Sequence, residues 1–198
     1  VIFSWAVLIF TSGINIFLLF GLSTIAIISL VYLIMYVPKF DYIQGRIFSF
    51  FNRDTGTHNF QSDKAIESIT SGGFFGKGIG EGTLKNRVPE AHTDYIISVI
   101  SEEFGVVAII LILFLFLIFI YMVFKKINFE KDDKIKLVLI GCVSLILMQA
   151  TIHIGVNIRL FPTTGMTLPF LSYGGSSIIS ISIISGIILN LTKRKIEN

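Results

Sequence analysis

The chain has little of what a soluble domain needs. Only 15% of its 198 residues are Asp, Glu, Lys or Arg, against about a quarter in soluble globular proteins. A single cysteine, Cys142, leaves no disulfide to form within the chain, and its place in an apolar run reads as a small core or lipid-facing group. The three histidines, His58, His92 and His153, are too scattered for a zinc site without paired cysteines. All four prolines, Pro38, Pro89, Pro162 and Pro169, fall outside the long apolar runs, where helix interiors must satisfy their own hydrogen bonds. Internal repeats and low-complexity tracts are absent.

What is present is apolar. Hydrophobic residues make up 53% of the chain and the mean hydropathy is +0.81, which points to an all-α integral membrane protein, a multi-span helical bundle. Runs long enough to cross a bilayer, about 20 residues, occupy 14–37, 95–124, 137–154 and 174–191, with a partial span over 1–10. Together they read as a single membrane domain over 1–198, and 39–93 reads as a large loop. The opening at Val1, inside an apolar segment without Met or a basic leader, suggests that an amino-terminal part precedes it. Within the loop, Phe48, Phe50, Phe51 and Phe60 argue against disorder. Asp63–Ile69 reads as a short helix lying at the membrane interface, with Ala65, Ile66 and Ile69 on one face.

Net charge is +3 with a pI near 9.0, but the lysines flank the spans, so nucleic acid is excluded as a partner. The loop KKINFEKDDKIK at 125–136 and the tail at 193–195 are rich in Lys and Arg, whereas 155–173 carries only Arg159. The positive-inside rule then puts the first two in the cytoplasm and the 39–93 loop outside. The glycine-dense stretch from Gly72 to Gly82, Asp94, and the loop ending in Gly174 and Gly175 thereby share an extracytoplasmic face. Helices beginning near Asp94 and Gly174 point their amino ends outward, where free N–H groups attract anions.

Asp94 is followed by Ser98, Ser101, Glu102 and Gly105 at helical spacing, so one side of a mostly apolar helix is polar or small and should face the bundle. Asp94 can act as a catalytic carboxylate or simply stabilise a helix amino terminus. Lys77, Lys85, Arg87 and Arg159 can be solvated loop charges or, beside two helix amino ends, a pyrophosphate site. Asp94, alone or with Glu90, suits Mg²⁺ held jointly with substrate phosphates. The glycines of GKGIGEG lack a Walker lysine-serine ending, which excludes a soluble nucleotide fold.

GKGIGEG, VPEAHTDYIISVISEEFG and FPTTGMTLPFLSYGGSS resemble the signature blocks of the SEDS family, the FtsW, RodA and SpoVE cell-wall polymerases. Arg46 with FSFFN, and NFQ with IESITSGG, resemble that family's large outer loop. The likeness runs over nearly the whole chain and corresponds to the carboxy-terminal half of a ten-span member. PEAHTD with Ala91 and TGMTLPF with Thr167 look most like the division branch, FtsW. Lys64, Arg53, His153 and Thr164 depart from the family's usual residues. The resemblance implies a peptidoglycan glycosyltransferase polymerising lipid II through β-1,4 bonds during cell division, on the extracytoplasmic side of the plasma (inner) membrane. It places the catalytic residue on Asp94 and adds His92, Thr93, Ser172 and Ser176 to the substrate-binding set of Lys77, Lys85, Arg87, Glu90, Arg159, Gly174 and Gly175. It implies a divalent cation, Mg²⁺ or Mn²⁺, and no organic cofactor. The implied partners are lipid II, a class B penicillin-binding protein acting as transpeptidase, and other divisome membrane proteins.

Two other readings compete. A lipid II flippase would show broken helices and a charged site near the bilayer midplane. A non-catalytic scaffold of the divisome would leave the glycine and carboxylate cluster without a purpose.

Overall fold

The computed structural model describes residues 2–13, 15–51, 57–88 and 90–193. Val1, Arg53, Pro89 and the basic tail from Arg194 lie outside that set, as do the side chains of His58 and Lys85. Among the described residues the chain is helical throughout its regular structure: α1 (Ile2–Thr11), α2 (Ile16–Tyr36), α3 (Asp41–Phe51), α4 (Thr57–Gly72), α5 (Leu84–Arg87), α6 (Ile96–Phe129), α7 (Asp133–Asn157) and α8 (Gly175–Thr192). Four of them, α2, α6, α7 and α8, are long and apolar enough to span a membrane.

Local chemistry sets the ends of these helices. The Asn15 side chain accepts from Phe17 N–H at 3.0 Å to open α2, and Val37 closes it because the residue before a proline is pushed out of the helical region. Inside α2, Ser23 and Thr24 bond back to the Phe20 and Gly21 carbonyls at 2.9 and 2.8 Å, which masks their polarity in an apolar setting. Asp132 caps α7 by accepting from Lys134 N–H.

α6, α7 and α8 share a core of Val123, Ile127, Leu139, Cys142, Val143, Ile146, Ile181 and Ile188. α1 lies on α7, where Leu8 reaches within 3.3 Å of the space a Cβ on Gly141 would take. α2 instead presents Phe17, Phe20, Ile25 and Ile28 outward, as a lipid-facing helix does.

The segment between α2 and α6 is mostly helical. The helix expected at Asp63–Ile69 runs from Thr57 to Gly72 and packs along α6 rather than lying apart at an interface. Its buried side is Ser62, Ala65 and Ser68, not the Ile66 and Ile69 side. These small residues, with Gly72, let the two backbones approach closely, as small side chains do between membrane helices.

α6 is longer than expected and is broken. Gly105 has φ 77° and ψ −177°, a conformation that only glycine adopts readily, and the ladder opens there. The turn after α4 fills the gap with main chain. Lys77 N–H and Gly78 N–H donate to the Glu102 and Glu103 carbonyls at 2.9 and 3.1 Å, while Val106 N–H and Val107 N–H donate to the Gly73 and Phe74 carbonyls at 3.0 and 3.3 Å. Backbone groups freed by the break are thus paired, as they must be at membrane depth.

A second non-helical segment, 162–168, descends beside α7. His153 Nδ1 lies 2.7 Å from the Met166 carbonyl, and Gln149 Nε2 donates to the Thr167 carbonyl and hydroxyl and to Ser177 at 2.9, 3.1 and 3.1 Å. Gln149, His153 and Asn157 recur every fourth residue and so form one polar stripe along α7.

Candidate active site

α6 starts at Ile96 with Tyr95 as its N-cap, so Asp94 sits in the turn before the helix rather than at its first residue. Tyr95 makes no side-chain capping bond. Asn157, at the far end of α7 and fully buried, supplies the cap instead. Its Oδ1 accepts from Ser98 N–H at 3.2 Å and Ser98 Oγ at 2.7 Å, and its Nδ2 donates to the Asp94 and His153 carbonyls at 3.0 and 2.9 Å. The turn is tied on its other side by the loop before α8: Ser172 Oγ donates to the Thr93 carbonyl at 2.7 Å and Tyr173 N–H to the His92 carbonyl at 3.1 Å. The amino ends of α6 and α8 and the carboxyl end of α7 therefore meet around Asp94.

The Asp94 side chain lines a polar crevice of about 70 Å³ with Arg46, Gln61, Tyr95, Val156, Thr163, Gly165 and Met166. Arg46, on α3, is fixed by donating to the Thr163 carbonyl at 2.9 Å and by stacking on Tyr42 with its guanidinium 4.5 Å from the ring centre. Burial pushes the Asp94 carboxyl above its ordinary value of 3.8 and the neighbouring Glu90 adds to that, while the Thr93 hydroxyl and the Arg46 charge pull it down. A half-desolvated carboxylate with raised proton affinity, opposite a guanidinium, is suited to accepting a proton from a bound hydroxyl.

The other expected site residues divide into groups. Glu90, in a left-handed turn with φ 66°, accepts from Thr93 Oγ1 at 2.8 Å, beside Asp94. His92, Gly175 and Ser176 are exposed, and Gly174 is the N-cap of α8. Ser172 is buried, donating to Thr93 and accepting from Leu168 N–H at 2.8 Å, so its hydroxyl is committed to the scaffold. Arg159 pairs with Asp63 of α4. Lys77 and Arg87 line a different crevice of about 210 Å³ with Lys64, Glu67, Ser71, Thr83 and Glu102. Glu102 lies eight residues beyond Asp94, about 12 Å along a helix. The backbone of Lys85 lies in α5 beside that second crevice.

Glu102 is the organising group there. Its side chain is 1% exposed and receives Lys77 Nζ at 2.8 Å, Thr83 N–H at 3.0 Å, Thr83 Oγ1 at 3.1 Å and Leu84 N–H at 3.0 Å. The cation next to Asp94 is thus Arg46, not the lysines of the glycine stretch. Arg46, Gln61 and Asn157 stand outside the residue set expected from sequence; the spacing Gln149, His153, Asn157 in an apolar helix was the visible sign of the last.

A model of the cell cycle protein family FtsW/RodA/SpoVE matches residues 1–197. The chain belongs to that family. A probable peptidoglycan glycosyltransferase FtsW of Geobacter metallireducens is 35% identical over 92% of this chain and 51% of its own length. An Enterococcus hirae protein of the same name is 40% identical over 70% of this chain and 35% of its own length. Stage V sporulation protein E of Bacillus subtilis is 35% identical over 94% of this chain and 51% of its own. Among solved structures, a chain of a peptidoglycan synthase complex that coordinates polymerization and crosslinking superposes with a TM-score of 0.73 and 25% identity, over 96% of this chain and 52% of that one. The chain spans between 35% and 51% of the length of these curated relatives. The likeness to FtsW proteins supports the division branch of the family, and the all-helical, multi-span membrane architecture agrees with it.

Proposed function

We propose that this chain carries the reaction centre of a peptidoglycan glycosyltransferase that polymerises lipid II during cell division. The carrying observation is Asp94, half-buried with a raised pKa in a polar crevice facing Arg46, where the amino ends of α6 and α8 meet. The acceptor sugar hydroxyl gives its proton to the Asp94 carboxylate as its oxygen bonds to the donor's anomeric carbon. The bond from that carbon to the lipid pyrophosphate breaks, and the electron pair leaves with the pyrophosphate. Arg46 and the converging helix amino ends stabilise the departing charge. Because the leaving group is already a stabilised anion, one carboxylate suffices without a general acid.

A divalent cation would supply further charge neutralisation. The described residues contain no group of three metal-ligating side chains, but Mg²⁺ commonly uses one or two carboxylates plus substrate phosphates. Asp94, with Glu90 close enough to raise its pKa, provides that set. The lysine-rich turn between α6 and α7 supports reading the Asp94 end as the extracytoplasmic one. The superposition on a synthase complex supports a class B penicillin-binding protein and other divisome proteins as partners.

A translocation reading draws on the break in α6 and the Lys77–Glu102 pair beside it. Yet the broken backbone is paired with the 73–78 turn and Glu102 is saturated by four donors, so neither is open to a passing substrate. The test of the polymerase is Asp94→Ala in a protein of the relatives' full length that carries this sequence as its matching half. Glycan synthesis from lipid II should vanish while membrane insertion is kept and the thermal midpoint does not fall. Undiminished polymer rejects the assignment, and lipid II translocation by the same vesicles restores the competing one.

A further inference from the structure

The turn that fills the break in α6 has an outer side that the break does not explain. Phe74, Phe75 and Ile79 are 75%, 86% and 80% exposed, although large apolar side chains at a tight turn are normally covered. Main chain fixes how deep they sit. Val107 N–H bonds to the Phe74 carbonyl and Val106 N–H to that of Gly73, so Phe74 is level with Val107, inside the apolar run that begins at Phe104. The adjoining surface of α6 is also apolar and open, with Phe104, Val107, Ile110 and Leu111 at 43%, 52%, 60% and 58%. The polar part of the same turn faces inward, where Lys77 meets Glu102.

We propose that the Gly73–Ile79 turn is a membrane anchor whose Phe74, Phe75 and Ile79 side chains lie among lipid acyl chains near the headgroup boundary. The occupant is lipid because the patch continues the surface that α6, as a spanning helix, turns to hydrocarbon. Aromatic and aliphatic tips at that depth bind by apolar burial alone. The turn has no freedom to withdraw: four main-chain bonds hold it, and a Cβ on Gly76 would stand 2.2 Å from the Glu103 carbonyl oxygen. The inference is independent of Asp94 chemistry.

Trp5 is the sole tryptophan of these 198 residues. In a protein of the relatives' full length that carries this sequence as its matching half, with Trp5 and every tryptophan outside these 198 residues replaced by Phe, Phe75→Trp gives a single reporter, reconstituted into phosphatidylcholine vesicles. Its emission should be blue-shifted, lose most of its intensity to lipids brominated near the carbonyl end of the acyl chain, lose less to bromines near the methyl end, and resist acrylamide in the water. Ile79→Trp is the second reporter, and both variants should keep the parent's thermal midpoint because neither side chain is in the core. Quenching by acrylamide at either position would overturn the proposal in favour of an aqueous loop. Insensitivity to both quenchers would overturn it in favour of a covering protein.

Discussion

Asn157 caps α6 through Ser98 from a different helix: one side-chain oxygen takes both the Ser98 N–H and hydroxyl, at 3.2 and 2.7 Å. The same amide holds the carbonyl of Asp94 at 3.0 Å. A single residue at the end of α7 therefore positions the Asp94 turn without touching the crevice, and the amino end of α6 is fixed where an ordinary N-cap is lacking.

Removing that amide should loosen the turn more than the bundle. Asn157→Leu deletes four hydrogen bonds at a fully buried position and should cost about 1–3 kcal/mol, since such bonds contribute little individually but leave Ser98 unpaired. Thermal unfolding in detergent gives the first number and lipid II turnover the second. A variant that keeps full turnover despite the lost stability would show that Asp94 needs no such support.

Main-chain contact at the break makes two glycines irreplaceable. A Cβ at Gly105 would lie 2.2 Å from the Phe74 carbonyl oxygen, and one at Gly76 would lie 2.2 Å from that of Glu103. Neither obstacle is a side chain that can swing away. Gly105→Ala and Gly76→Ala should each destabilise by more than about 3 kcal/mol. Gly186→Ala on α8, with nothing within 4 Å, should be neutral or stabilising by up to about 1 kcal/mol. Comparable expression and melting of all three would refute the clamped break.

The Lys77–Glu102 pair is expected to be strongly coupled. Glu102→Ala strands Lys77 and two backbone N–H groups that it now satisfies, which should cost about 3–5 kcal/mol. Lys77→Met should cost less, because its side chain is 36% exposed and reaches water. A double-mutant cycle measures the coupling; an additive pair would mean that the two groups do not interact in the folded protein.

Much of this arrangement could be read in the sequence, and the unread parts share a cause. Apolar runs announce spans because bilayer thickness fixes their length, so α2, α6, α7 and α8 were visible. Asp94 stood out as a carboxylate at the edge of such a run. Pairing across the fold was not visible: nothing local tells that Lys77 meets Glu102, that Arg159 meets Asp63, or that Arg46 crosses to the Thr163 carbonyl. Gly105 looked like one small residue on a helix face, because a break depends on a partner strand of backbone lying far off in sequence. The small side of α4 was passed over for its isoleucines, which would suit an interface but not close contact with α6.

The pH behaviour of Asp94 separates its chemical role from its structural one. Its folded-state pKa is raised above 3.8, first by burial and then by Glu90, with Thr93 and Arg46 opposing. The folded protein therefore binds that proton more tightly than the unfolded chain. The resulting stabilisation is complete below pH 3.8 and is lost as pH rises through the raised value. At neutral pH the buried charge is a burden on the fold, so Asp94→Asn should raise the thermal midpoint there, the difference shrinking toward acid, while turnover disappears. Arg46→Gln removes a charge that favours the carboxylate, so the acid limb of the wild-type rate profile should move to higher pH in that variant. An unmoved limb would mean that the base titrating in the rate is not the carboxylate facing Arg46.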